Sequence, residues 1–184
     1  MRFPVLMGAG RRADATYFTL GPRPSGGFVL AENLWSNMEE SPEALDFFKL
    51  MAVRFFPWVL GWQLSWPEEE RENLRVRLGL KAPCRMVGDS WTLPLLFAFD
   101  CVGRGKPWPD GLFASGAVRQ CRGLRCVSMG DALAKLRWAR EAATLFLIPK
   151  ANLTRLRRQG ADVAGCVALP SSVERCLGLW RQYA

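Results

Sequence analysis

Histidine is absent from this chain of 184 residues, and that excludes more chemistry than any other feature of its composition. Without imidazole there is no Ser-His-Asp triad, no side chain that titrates near neutrality by default, and none of the commonest metal ligand. The six cysteines, Cys84, Cys101, Cys121, Cys126, Cys166 and Cys176, form no C-x-x-C pair, and several sit inside apolar runs. They read as reduced, mostly buried thiols rather than as a metal set or a disulfide framework. Neither a metal nor a cofactor is expected.

Long apolar runs are missing as well. The most apolar early stretch, residues 47–60, is interrupted by Lys49, Arg54 and Pro57, which leaves nothing long enough to cross a bilayer. In the first twenty residues the basic pair follows the apolar patch, and Pro4, Gly8 and Gly10 break it, so no secretory signal is read there. A soluble, cytoplasmic protein without a membrane partner is expected. No G-x-x-x-x-G-K-[ST] occurs; GRGKP at residues 103–107 lacks both the spacing and the hydroxyl, so the sequence carries no P-loop ATPase.

The formal net charge is +8, which raises nucleic acid or an acidic partner. The cations are nevertheless dispersed over Arg11-Arg12 and residues 71–77, 119–125 and 137–158, not gathered in a block interleaved with aromatics. A solvated surface is the simpler reading, and nucleic acid is not the expected partner.

Length and composition suit one domain over residues 1–184, with no linker, repeat or low-complexity segment. Residues 16–20 and 28–30 are short β-type runs around GPRPSGG, which predicts an N-terminal antiparallel ribbon. Ser41-Pro42-Glu43 opens an amphipathic helix through Ala44, Phe47, Phe48, Met51 and Phe55, ending near Pro57. LRVRLGL, residues 74–80, alternates and reads as a strand with one wet face. Residues 91–101 read as a buried helix that tolerates Pro94 in its first turn. Residues 112–118 read as a strand, followed by a basic loop through Cys121 to Arg125. A helix follows in SMGDALAKLRWARE, with Ser128 to Asp131 resembling a capping box. The strand ATLFLIP, the helix NLTRLRRQG, the strand DVAGCVALP and a helix from Ser171 or Ser172 to Trp180 complete an α/β (α+β) pattern.

Ser90, in VGDSWTLPLL, falls at the start of the buried helix. Unpaired amides there, those of Ser90 and Trp91 first, could hold an oxyanion. A serine hydroxyl is a weak nucleophile and needs a base. Among five lysines, Lys49, Lys81, Lys106, Lys135 and Lys150, Lys135 lies beside the apolar stripe of Ala132, Leu136 and Ala139. Two readings of it stand side by side. A flank lysine would snorkel to water, whereas a desolvated one would favour the neutral amine and serve as general base.

In order along the chain, ENLWSNMEESPEALDFFKLMAVRFF resembles the G-x-L-G-x-x-M-x-E-S helix of the Lon protease proteolytic domain, the Ser-Lys peptidase family usually fused to a AAA+ ATPase. VGDSW resembles its G-P-S-A or G-D-S-A nucleophile segment. GKPWPDGLFASGAV resembles its G-x-P-V…D-x-A-x-T-G-E-I, and MGDALAKLRWAREAATLFLIPKAN its G-G-L-K-E-K-L-x-A-A…I-L-P-x-x-N. GCVALPSSVERCLGL resembles the closing V-x-x-V-x-x-x-x-E-V-L-x-x-A-L. The resemblance implies a Lon proteolytic-domain-like fold with an N-terminal β-ribbon, standing alone without the ATPase module. It makes Ser90 the nucleophile and Lys135 its base, with Ser115 at the family's threonine and Asp89 in a local polar role.

Three positions depart from that pattern. Trp91 stands where the family has a small residue, and an indole facing the cleft would crowd a substrate backbone. Ala117 replaces the glutamate of T-G-E, and residues 129–132 replace the glycine pair and first lysine. The expected activity is peptide-bond hydrolysis by a Ser-Lys dyad, on peptides or unfolded protein, with a separate ATPase as potential partner and weak self-association. The alternative is an inactive Lon-like scaffold or binding module for an acidic partner or nucleic acid.

Overall fold

The computed structural model describes residues 1–9, 11–23, 29–30, 52–84, 88–120, 124–127 and 132–184. Its first element is an antiparallel ribbon in which β1 (Arg2–Ala9) pairs with β2 (Arg12–Pro22) from Arg2 opposite Thr19 to Ala9 opposite Arg12. Strand alternation lets this ribbon serve two cores. Phe3, Val5, Phe18 and Leu20 face the main one, while Leu6 and its cross-strand partner Ala15 face a smaller one.

The ribbon was expected between residues 16–20 and 28–30, and this is corrected. β2 pairs antiparallel with β1 on one side and with β4 (Trp62–Ser65) on the other, and β3 (Val29–Leu30) runs parallel to β4 at the far edge. Pro4, which interrupts the apolar patch of the first residues, falls within β1. In the order β1-β2-β4-β3 it stands on an edge strand, where a missing N–H is tolerated. The helix expected from Ser41 lies largely outside the described residues. Residues 52–55 are helical, and a 3-10 turn at Pro57–Val59 follows, as the proline requires.

The strand expected at residues 74–80 is instead the end of α1 (Glu68–Leu78). Its signals lie upstream: Pro67 before the first turn, then Glu68, Glu69 and Glu70 at the positive end of the helix dipole, with Arg75 and Arg77 at the negative end. Gly79, at φ 67°, ends it in the left-handed region. Leu74 and Leu78 are buried four residues apart, whereas Val76, which a strand would place beside them, is 63% exposed.

α2 (Thr92–Gly103) is buried from Thr92 to Cys101, as its almost unbroken apolar sequence demands. Phe97 stacks on Trp180 at 4.4 Å between ring centroids, and Phe99 packs on Phe56 and Trp58. Its one buried carboxylate, Asp100, is paired with Arg104 at 2.9 Å and Arg181 at 2.6 Å.

The run expected as one strand over residues 112–118 is broken in two. β5 (Leu112–Ala114) joins a parallel sheet in the order β5-β8-β9, with β8 (Leu145–Pro149) central and β9 (Cys166–Leu169) beyond it. β6 (Ala117–Gln120) leaves that sheet and pairs antiparallel with β7 (Leu124–Val127), part of the stretch read as a basic loop. Three helices follow: α3 (Ala132–Glu141), α4 (Lys150–Arg158) between β8 and β9, and α5 (Val173–Trp180), whose cap Ser172 accepts the Arg175 N–H. The expected capping box at Ser128 lies outside the described residues.

The chain is thus mixed α and β. Among the described residues no helix is long and apolar enough to cross a membrane. Cys84, Cys101, Cys166 and Cys176 are free thiols, and burial pushes the Cys101 thiol up to about 11, which keeps it protonated and unreactive.

A helical α1 makes a discriminating prediction. Leu74→Ala should cost about 2–5 kcal/mol in denaturant unfolding, and Val76→Ala should stay within about 0.5 kcal/mol of the unaltered chain. Equal, large losses at both positions would restore the strand.

Candidate active site

The break between β5 and β6 builds the site. The Ser115 N–H still donates to Leu147 O at 3.1 Å, extending the β5-β8 pairing by one residue. Gly116 then turns to the loop before α2: its N–H donates to Ser90 O at 3.0 Å, and its carbonyl accepts the Leu93 N–H at 3.2 Å. Two backbone hydrogen bonds therefore stitch the nucleophile turn to the strand end. A Cβ at Gly116 would lie 2.9 Å from Leu93 Cδ2 and 2.9 Å from Pro149 Cγ, too close for either to stay where it is.

Thr92 adds a third tie. Its hydroxyl donates to Asp89 O at 2.8 Å and accepts the Val118 N–H at 2.9 Å, both buried, joining the turn to β6. Gly88, at φ 84°, supplies the left-handed residue that admits the chain to this turn. The Thr92 and Leu93 amides are given to Asp89 O and Gly116 O, so neither is spare for an oxyanion.

Lys135 reaches this turn from α3. Its neighbours Leu136 and Ala139 belong to the smaller core with Phe113, Phe146 and Ile148, which fixes the helix against β5 and β8. The lysine does not snorkel to water: the residue is only 3% exposed. Nζ lies 2.9 Å from Ser90 Oγ and 3.0 Å from Ser115 Oγ. Ser115 is 1% exposed, while Ser90 is intermediate. Of the three side chains, the lysine and Ser115 are withdrawn from water and Ser90 is the least buried.

The three side chains singled out from sequence converge. Asp89 is buried in the same turn and tied to Thr92 through its backbone carbonyl. Trp91 departs from expectation. The residue is 2% exposed and packed in the main core rather than projecting into solvent. Burying so large an apolar surface outweighs leaving it at the mouth of the site. Sequence reading missed Gly116 and Thr92. The glycine had a signal, because it directly follows Ser115 in ASGAV. The threonine had none, its partners being backbone groups on two different elements.

The arrangement can transfer a proton between a serine hydroxyl and an amine, with a second hydroxyl holding that amine in place. No family model matches the chain, and no curated protein matches it.

Gly116→Ala should destabilise the fold by about 1–3 kcal/mol, the cost of overpacking a filled site. Because the strain falls on Leu93 and Pro149, thermal unfolding should show it in the absence of any substrate. A Gly116→Ala chain as stable as the original would mean that the stitch has slack.

Proposed function

We propose that the chain is a Lon-like serine peptidase, with the corresponding proteolytic-domain fold, that hydrolyses peptide bonds with Ser90 and Lys135. The observation that carries this reading is a lysine amine, withdrawn from water, within hydrogen-bonding distance of the hydroxyls of a half-buried serine and a buried one. Burial disfavours the ammonium form, which is the direction a general base needs. A lysine held only as structural filler would need no reachable serine in front of it.

The steps follow from the geometry. Neutral Lys135 accepts the Ser90 hydroxyl proton as Oγ bonds to the scissile carbonyl carbon, and amides of Ser90 and Trp91 receive the developing oxyanion. Ser115 Oγ accepts an N–H from Lys135, which aims the nitrogen lone pair at Ser90. Collapse breaks the C–N bond, and the Lys135 ammonium returns its proton to the leaving amine. Water then attacks the Ser90 ester, giving Lys135 a proton that passes to Ser90 Oγ as the acid is released. The cycle closes with no net change in the protein and without histidine.

Substrates under this reading are peptides or unfolded segments. A separate ATPase would be needed to unfold stable ones, and self-association is weak.

Ser90→Ala and Lys135→Ala should each abolish cleavage of an unstructured fluorogenic substrate. The double variant should be no worse than either, as expected of groups acting as one unit. Lys135→Arg should not restore activity, since a guanidinium stays protonated. A serine-directed phosphonate should label Ser90, and the labelling rate should rise with pH. Full cleavage by Lys135→Ala would eliminate the dyad, and a chain inert to every phosphonate and substrate would favour the binding-module reading.

ATP should leave cleavage unchanged, and a stably folded substrate should survive. Degradation of the folded substrate by the pure chain with ATP, and not without it, would contradict this reading.

A further inference from the structure

The face of α3 turned away from Lys135 carries a second feature. Leu133, Leu136, Arg137 and Arg140 recur at helical spacing, and Arg137 is two residues, or about 200°, around the helix from Lys135. A cavity of about 260 Å³ opens there between α3 and the segment following α4, with Leu136 and Ala161 in its lining. Leu133, 39% exposed, also lines it. A second hollow, of about 280 Å³, adjoins the same two arginines on the Glu141 side.

The linings themselves balance, Arg137 and Arg140 against Asp162 and Glu141, and the positive surplus of the surrounding surface comes from the neighbouring α4. Arg137 and Arg140 are exposed, and the last turn of α4 adds exposed Arg155, Arg157 and Arg158. Arg140 and Arg157 both oppose the rise that burial imposes on the Cys166 thiol, so cations from the two helices reach one locality. The opposing acids are Asp162, bound to Arg140 at 2.9 Å, and Glu141. The Arg140–Asp162 pair is half exposed on both sides, so its exchange for another carboxylate costs little.

We infer that this groove binds an acidic peptide segment, one apolar side chain seated among Leu133, Leu136 and Ala161 and its carboxylates on Arg137 and Arg140. A nucleic-acid strand fits less well. Among the described residues the groove lining holds no aromatic ring on which a base could stack. Trp138 on the same helix is half-buried, and its Nε1 is given to Asp14. Asp162 and Glu141 would also interrupt a continuous run of phosphates. The inference does not rest on the peptidase reading, because the groove and the dyad lie on opposite faces of α3.

The test is fluorescence anisotropy of a short labelled peptide of Glu and Ser with one central Leu, titrated with the full chain. Binding should weaken with salt, and Ser90→Ala, which removes any cleavage of the peptide, should bind it as the unaltered chain does; the groove variants locate the site. Arg137→Glu with Arg140→Glu should weaken binding at least about tenfold, and replacing the peptide's Leu by Ser by about tenfold. Arg175→Glu with Lys81→Glu, the same charge change away from the groove, should weaken it less than about twofold. Arg140→Gln, with circular dichroism, guards against a folding defect in the double reversal. No peptide binding at low salt, binding indifferent to the groove reversal, or tighter groove-dependent binding of an oligonucleotide of equal charge would each overturn the inference.

Discussion

A lysine amine buried from water must be solvated by the protein, and the placement of the Lys135 nitrogen constrains much of this structure. Its hydrogen-bond partners include the hydroxyls of Ser90 and Ser115, which arrive from different elements. Each has to be held where a dry amine can use it, because an unmet polar group in such a place costs more than the hydrogen bond would contribute. Ser115 comes from the end of a parallel strand and Ser90 from the turn before a buried helix. The two Gly116–α2 hydrogen bonds are what keep those segments in register.

The other side of the triangle is held just as firmly. One turn beyond Lys135, Trp138 donates its indole N–H to Asp14 Oδ1 at 3.0 Å, and Arg77 donates to Asp14 Oδ2 at 2.6 Å. A single carboxylate on the β1–β2 ribbon thereby ties α3 to α1, while Leu136 and Ala139 anchor α3 in the smaller core. An amine placed on a helix so fixed is positioned by packing rather than by a loop, the precision that the proposed proton transfer would call for.

Ser115 has no local signal in the sequence and is reached only through the resemblance. Ser90 and Lys135 stand out because each lies in a short segment whose local pattern carries its own signal: Ser90 precedes a run with little polar in it, and Lys135 sits at the edge of an apolar stripe. α2 was legible for a similar reason, since a segment apolar on all sides has to be buried. What failed was pairing at a distance. Nothing near residue 115 announces that Gly116 will bond to Ser90 rather than continue β5, and nothing near residue 20 distinguishes β1 and β4 from residues 28–30 as partners of β2. α1 failed for a local reason: over seven residues, Leu74, Val76 and Leu78 satisfy a period of two, while Leu74 and Leu78 also satisfy the helical one. The glutamates before them decide it, and they lie outside that window.

α3 also shows why the identity of its cations matters. Arginine supplies twenty of the chain's twenty-five basic residues, so a lysine is not the usual way this sequence places a positive charge. On the wet face of α3 the cations are Arg137 and Arg140, whose planar forks can grip carboxylates. On the dry face stands the one cation type that can give up its proton when water is removed. An arginine at position 135 would bring a planar fork of donors to the place where Nζ now meets two hydroxyls. The helix therefore turns its arginines to water and its one lysine to the interior.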